Sequence, residues 1–267
     1  GAFTFTDIHG EESNFNVHLS TYTDSSDQQQ AINYLVVPLK AYDVLPAIRQ
    51  IRPLIKHSTV IILCHNGMGT IEQVQQMLGP NQPLLFATTT HGAYRKTPQH
   101  LIHSGLGETK MGWINPPETS VENDQLSQTL EQILGPVSWH QDINTVLWQK
   151  LAINSVINPL TAIHQIKNGD LKQTRFSAQI NRLCDEIKRV TDSCGIALDY
   201  GDLIHDCYRV INNTANNYSS MNRDIAAGRR TEIDYITGYL MTQAKKHNVR
   251  VLEHSHLYRK IKAIEGG

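Results

Sequence analysis

No Gly-x-Gly-x-x-Gly occurs anywhere in this 267-residue chain, and no proline follows Pro159. The first absence withholds the strand, glycine-rich turn and helix with which a dinucleotide-binding α/β domain normally opens. Such a chain either lacks its opening βαβ portion or never had one. The second absence leaves everything from Leu160 onward open to long uninterrupted helices.

Cysteine is sparse. Cys64, Cys184, Cys194 and Cys207 are the only four, and none form a CxxC pair. That excludes a disulfide framework, a thioredoxin-like motif and a zinc ribbon, and it makes reduced thiols the expectation. Charge of one sign is absent too: 24 Lys and Arg face 25 Asp and Glu, for a net charge of −1. No basic field exists to draw in nucleic acid. No stretch approaches the roughly 18 apolar residues of a membrane span, and the N-terminus lacks a signal-peptide layout. A cytoplasmic chain with no membrane partner is expected. The 13 histidines are scattered without an HExxH or a Cys/His cluster, so no metal is expected, even beside the pair His254 and His256.

What is present is a globular balance, 40% hydrophobic and 18% charged, over a length that accommodates two cores. The first half alternates. Phe15 to Leu19 has strand periodicity, Ile32 to Leu39 (INYLVVPL) reads as a buried parallel strand, and AYDVLPAIRQI (41–51) has helical spacing. TVIILC (59–64) is a second buried strand, followed by the glycine turn HNGMGT and the helical IEQVQQML. PLLFATTT (83–90) is a third strand. Strands alternating with helices mean βαβ units and a doubly wound, mostly parallel sheet. The helix LSQTLEQIL stops at Gly135-Pro136, and VSW follows as a short strand. Helices are then expected over 142–158, 176–194, 199–217, 230–247 and 255–263. The predicted division is an α/β domain over 1–140 and an all-α domain over 141–267.

Three stretches carry polar residues that packing alone does not require. In WQKLAINSVINPL, Lys150, Asn154 and Asn158 recur every four residues and so lie nearly in line along one helix face. Asn is a poor interior helix former, and solvated stripes are usually built from Glu, Lys, Gln and Arg. Pro159 is expected to bend or end the helix beside Asn158. In CHNGMGT, the glycines permit a tight turn with close backbone approach, and Asn66 falls at the carboxyl end of a strand, where open α/β sheets bind ligands. Lys40, in PLKAY, ends the preceding strand toward the same edge. The third stretch is SSMNRDIAAGRRTEIDYITGYL (219–240), where Glu232 either pairs with Arg229 or Arg230 at the surface or faces Lys150 across a cleft.

In this order, PLKAY, HNGMGT, ATTTHGA, KLAINSVINPLTAI and SSM…RRTEIDYITGY resemble the ketopantoate reductases (2-dehydropantoate 2-reductases), across essentially the whole chain. The resemblance implies a Rossmann-type domain followed by an all-α domain, with the active site between them. It implies reduction of 2-dehydropantoate to D-pantoate by NADPH, on the route to pantothenate and coenzyme A. It makes Lys150 the catalytic lysine and Glu232 its acidic partner. Asn154, Asn158 and Asn168 fall on substrate-binding asparagines, Ser220 on a substrate-carboxylate serine, and Lys40 and Asn66 on cofactor positions. The family's GxGxxG and the basic residue for the 2′-phosphate have no counterpart here, so no phosphate-binding residue is named. A monomer or homodimer is expected. Two rivals remain: a truncated relic that binds a small acid or partner without turnover, and a dehydrogenase for a related 2-hydroxy acid.

The chemistry suits those residues. Hydride delivered to a ketone leaves charge on oxygen, which calls for a donor aimed at that atom. Lys150 can donate to the ketone and then protonate the alkoxide, while amides bind a hydroxyl and a carboxylate without adding competing charge.

Overall fold

A computed structural model of the chain describes residues 1–17, 32–117 and 123–266. The described residues fall into two compact units. One takes those within Gly1–Leu39, Asp43–His65 and Glu72–Ile143; the other takes Lys40–Tyr42, Asn66–Ile71 and the chain from Asn144 onward.

The first unit is built on a five-stranded sheet. Its inner strand β4 (Val60–Leu63, VIIL) is buried at every residue, as a strand covered on both faces must be. It pairs in parallel with β3 (Tyr34–Val37) on one side and β5 (Leu84–Thr89) on the other. The sheet continues through β8 (Thr109–Asn115), antiparallel to β5, to β9 (Val137–Trp139), parallel to β8. Helices α1 (Ala41–Ile51) and α2 (Thr70–Leu78) make the crossovers between the parallel strands. On one face Val60, Ile62, Leu85, Ala87 and Met111 pack with Leu126 and Leu130 of α3 (Asn123–Leu134). Each of the larger of these side chains contributes about 1.5–3 kcal/mol by leaving water. The residues in between, Ile61, Leu63, Leu84 and Phe86, are closed off on the opposite face.

Two expectations are corrected here. The run Ile32–Leu39 is not a fully buried strand. Its strand core is β3, which among the described residues pairs only with β4, and Tyr34 and Val36 are exposed. Strand periodicity from Phe15 is met by β2 (Glu12–Asn16) only to Asn16, while His18 and Leu19 lie outside the described residues. A second, four-stranded sheet was not expected at all. It joins β2, β1 (Ala2–Thr6), β7 (His100–Gly105) and β6 (Gly92–Thr97) in that order, antiparallel except for β1 with β7. None of its strand residues is fully buried, which is why hydrophobic patterning did not reveal it.

The second unit is helical around α4 (Ile143–His164). Buried residues cover nearly the whole circumference of α4, from Trp148 and Leu151 through Val156 to Leu160 and Ala162, the signature of a helix enclosed by others. Pro159 does not end it. The helix runs five residues further, to His164, and the Thr161 hydroxyl donates to the carbonyls of Ile157 (2.8 Å) and Asn158 (3.1 Å) in the disturbed turn. Around it lie α5 (Thr174–Ser193), α6 (Tyr200–Asn213), α7 (Ser220–Ala226), α8 (Thr237–Lys246) and α9 (Leu252–Glu265).

The helix expected over 230–247 begins only at Thr237, and residues 231–236 form tight turns. The cause lies in backbone bonding. The Tyr235 carbonyl accepts from the Met68 amide (2.8 Å), and Thr231 is drawn to Glu265 through both its amide and its hydroxyl (2.7 Å each). A regular helix would need the Tyr235 carbonyl for its own ladder.

α9 is anchored at its start by a buried carboxylate. Glu186 of α5 accepts from the amides of Glu253 (2.8 Å) and His254 (3.0 Å) and lies 2.7 Å from His254 Nδ1. It thereby satisfies orphan donors of the first turn of α9 and opposes the positive end of the helix dipole. Burial holds His254 below the ordinary histidine range, although Glu186 pulls the other way. Burial alone would raise Glu186, but the His254 ring and two backbone donors outweigh it and hold the carboxyl low. Folded His254 is therefore neutral, and unfolding lets it take up a proton below the ordinary value of about 6.5. Both shifts give stability that is present at higher pH and lost as pH falls, His254 first and Glu186 further down. His254→Gln should flatten the decline of Tm between about pH 7 and pH 5. Equal slopes for variant and parent would refute this assignment.

Candidate functional site

The site is built around the carboxylate of Glu232, which is 4% exposed. A buried carboxylate must be compensated or it protonates. Glu232 Oε1 accepts from the Ala41 backbone amide at 3.1 Å. Its Oε2 accepts from Lys40 Nζ at 3.2 Å and from Asn66 Nδ2 at 3.4 Å. Three of the residues singled out in the sequence, Lys40, Asn66 and Glu232, thus meet at one point. They come from three separate stretches of chain, and all belong to the second compact unit.

Lys40 has a second, shorter partner that sequence reasoning missed. Asp224 Oδ2 lies 2.7 Å from Lys40 Nζ, and its Oδ1 lies 3.1 Å from the Arg229 guanidinium. The only sequence signal was its place in the stretch 219–240, four residues after Ser220. Arg223, Arg229 and Arg230 nearby made a surface ion pair the simpler account. The cluster holds two cations, Lys40 and Arg229, and two buried carboxylates, so it is neutral overall. Burial presses the Lys40 ammonium down, but Glu232 and Asp224 outweigh it and hold its pKa above the ordinary lysine range. Lys40 is a fixed cation at neutral pH, suited to binding and poorly suited to giving up a proton.

The loop from Asn66 to Gly69, which leads into α2, is held tightly to this cluster. Met68 N–H donates to the Tyr235 carbonyl, and Gly67 has φ +82°. A Cβ on Gly67 would lie 2.5 Å from the Tyr235 carbonyl oxygen, so only glycine permits this approach. Gly69, at φ +101°, faces the ring of Tyr239, which in turn lies 5.6 Å from the Trp148 ring of α4.

The remaining expected residues lie along α4, α7 and the 3-10 turn Asn168–Lys172. Lys150 and Asn154 are half-buried and Asn158 is 7% exposed, so the in-line stripe sinks into the unit toward its far end. Three residues on, Thr161 meets the Ser219 hydroxyl at 2.8 Å, and Asn222 Nδ2 donates to the Thr161 carbonyl at 2.7 Å. These bonds seat the start of α7, and with it the exposed Ser220, against the buried end of α4. Asn168 donates to Thr214 Oγ1 (2.9 Å), while its Oδ1 is buried with no hydrogen-bond partner among the described residues. Also among the described residues, no group of three or more His, Cys, Asp or Glu is placed to hold a metal, and no helix is long and apolar enough to cross a membrane.

Comparison with known proteins places these residues in context. The sequence pattern described as "Ketopantoate reductase PanE/ApbA" matches residues 3–116, and its C-terminal counterpart matches residues 142–265. A 2-dehydropantoate 2-reductase of Yersinia pestis is 39% identical over 261 residues, 97% of this chain and 81% of that protein. One from Vibrio cholerae is 38% identical over 231 residues, 86% and 77% of the respective chains. Among solved structures, a probable 2-dehydropantoate 2-reductase from Bacillus subtilis superposes with a TM-score of 0.79 at 28% identity, covering 98% of this chain and 86% of its own. A D-mandelate dehydrogenase solved with NADH and anilino(oxo)acetate superposes with a TM-score of 0.87 at 19% identity, covering 99% and 85%, and shares the fold.

The glycine turn gives a direct test of the geometry. Gly67→Ala should cost about 2 kcal/mol or more, from positive φ and from collision with the Tyr235 carbonyl. Denaturant unfolding measures it, and an unchanged midpoint would contradict the close approach.

Proposed function

The chain belongs to the ketopantoate reductase family, and from that premise we propose that it reduces 2-dehydropantoate to D-pantoate with NADPH, in pantothenate and coenzyme A biosynthesis. One observation supports this most: Lys40, Asn66 and Glu232, far apart in sequence, share one buried carboxylate. A purely structural ion pair has no need of an amide donor on a glycine turn at a strand end.

The donor set fits a nicotinamide dinucleotide. An ammonium and a primary amide suit phosphate, ribose and carboxamide oxygens, and Glu232 supplies an acceptor for a hydroxyl. Lys40 and Asn66 hold the cofactor in this reading. When bound, the reduced cofactor supplies a hydride to the ketone carbon.

The chain's own groups do the rest. Lys150 donates a hydrogen bond to the ketone oxygen, stabilises the negative charge that grows there, and delivers the proton that completes the alcohol. Asn154 and Asn158, on the same helix face, bind the polar groups of the acid without introducing a rival charge. Ser220 donates to the substrate carboxylate, and the Asn168 side chain offers a buried oxygen for a ligand donor. Glu232 accepts from the substrate hydroxyl. In this reading residues 1–140 carry the cofactor and residues 141–267 carry the substrate, while Lys40 and Asn66 are grouped with the helical unit.

The test is turnover of the intact gene product. Absorbance at constant protein should show oxidation of NADPH that depends on 2-dehydropantoate and outpaces both NADH and other 2-oxo acids. Faster turnover of a different 2-oxo acid would reassign the substrate, and no turnover with any acid would leave a non-catalytic relic. Lys150→Ala should lower kcat by about 10²–10⁴-fold while the fold survives. Near-normal turnover in that variant would remove Lys150 from the mechanism. Asn158→Ala should raise KM on the order of tenfold, as loss of a hydrogen bond worth about 1.5 kcal/mol does. An unchanged KM would refute the contact.

A further inference from the structure

We infer that Asp224 is a positioning residue that holds Lys40 in place and so keeps Glu232 from being consumed in a full ion pair with it. The inference rests on the reductase reading above, because it concerns what Glu232 is left able to bind.

The distances favour it. Lys40 Nζ is 2.7 Å from Asp224 and 3.2 Å from Glu232, so the aspartate is the closer counter-ion. Asp224 is itself fixed. Its second oxygen is taken by the Arg229 guanidinium at 3.1 Å, and the Arg229 amide returns to the Asp224 carbonyl at 2.8 Å. Arg229 is largely solvent-exposed, whereas the Asp224 side chain is 6% exposed. The pair therefore acts as a clamp with its outer end in water and its inner end on Lys40.

Position on α7 adds a second argument. Ser220 and Asp224 are four residues apart and share one side of this seven-residue helix. The start of α7 is fixed by the Ser219–Thr161 hydroxyl pair and by Asn222, which donates to the carbonyls of Thr161 and Ile166. One rigid turn of helix thus sets both the proposed carboxylate-binding serine and the anchor of Lys40. Removing the Asp224 charge leaves two cations beside one carboxylate. Lys40 then closes on Glu232 Oε2, the oxygen that Asn66 also uses, and Glu232 loses its capacity to accept from substrate.

The expected result for Asp224→Asn is a fall in kcat of about tenfold or more, with a smaller rise in the Kd for NADPH, since Lys40 keeps its charge but shifts toward Glu232. Lys40→Met with and without Asp224→Asn completes a cycle. If Asp224 acts through Lys40, its substitution adds less than about a further twofold in the Lys40→Met background. Equal losses in both backgrounds, or an unchanged kcat in the single variant, overturn the inference. Should Asp224→Asn fail to fold, the parent apoprotein answers by ¹⁵N NMR. A slowly exchanging, hydrogen-bonded ammonium signal that Lys40→Met deletes supports the clamp, and an ammonium exchanging like free lysine overturns it. Failure of the reductase reading looks different, since the parent enzyme itself then shows no turnover.

Discussion

A single buried carboxylate organises the site. Glu232 is almost wholly removed from water, yet it is compensated by a backbone amide, an ammonium and a side-chain amide drawn from outside its own stretch of chain. An uncompensated charge in that position costs several kcal/mol. The donors must therefore be in place for the fold to be stable, and the same donors line the proposed binding site. In the proposed reading, stability and chemistry rest on the same contacts.

The local backbone yields to that requirement. Residues 231–236 turn tightly where the apolar spacing pointed to a continuous helix, because the Tyr235 carbonyl is given to Met68 and Thr231 is held by Glu265. Ile233 and Ile236 still reach a core shared with Ala162, Met221 and Ile261, so burial of the apolar side chains is kept while the ladder is given up. Gly67 carries the complementary concession, a positive φ and no side chain, at the point where the two backbones touch.

Much of this was legible in the sequence. Continuous apolar runs such as VIIL and LLFATT give the parallel strands, and the proline-free C-terminal half gives the helices, because burial on both faces or all round leaves an unmistakable composition. What escaped had a physical reason. β6 and β7 (GAYRKT and HLIHSG) lie in a sheet whose residues stay partly exposed, so they lack the apolar period. The break before α8 is set by a hydrogen bond from a loop far away in sequence, and no local propensity records it. Of the residues that meet at the buried carboxylate, Lys40, Asn66 and Glu232 could be singled out because their motifs are distinctive as a set. Asp224 was not, because an aspartate among arginines on a short helix reads as surface until its burial is known. The in-line spacing of Lys150, Asn154 and Asn158 was readable, while its graded burial was not.

The account stands on energetic coupling between Lys40 and Glu232. A double-substitution cycle of Lys40→Met and Glu232→Gln, read by reversible denaturation of the apoprotein, measures it directly. A coupling of about 1–3 kcal/mol is expected for a partly desolvated pair sharing one network. Strictly additive losses would mean that the two residues fold independently, and that the convergence at this carboxylate does not hold the site together.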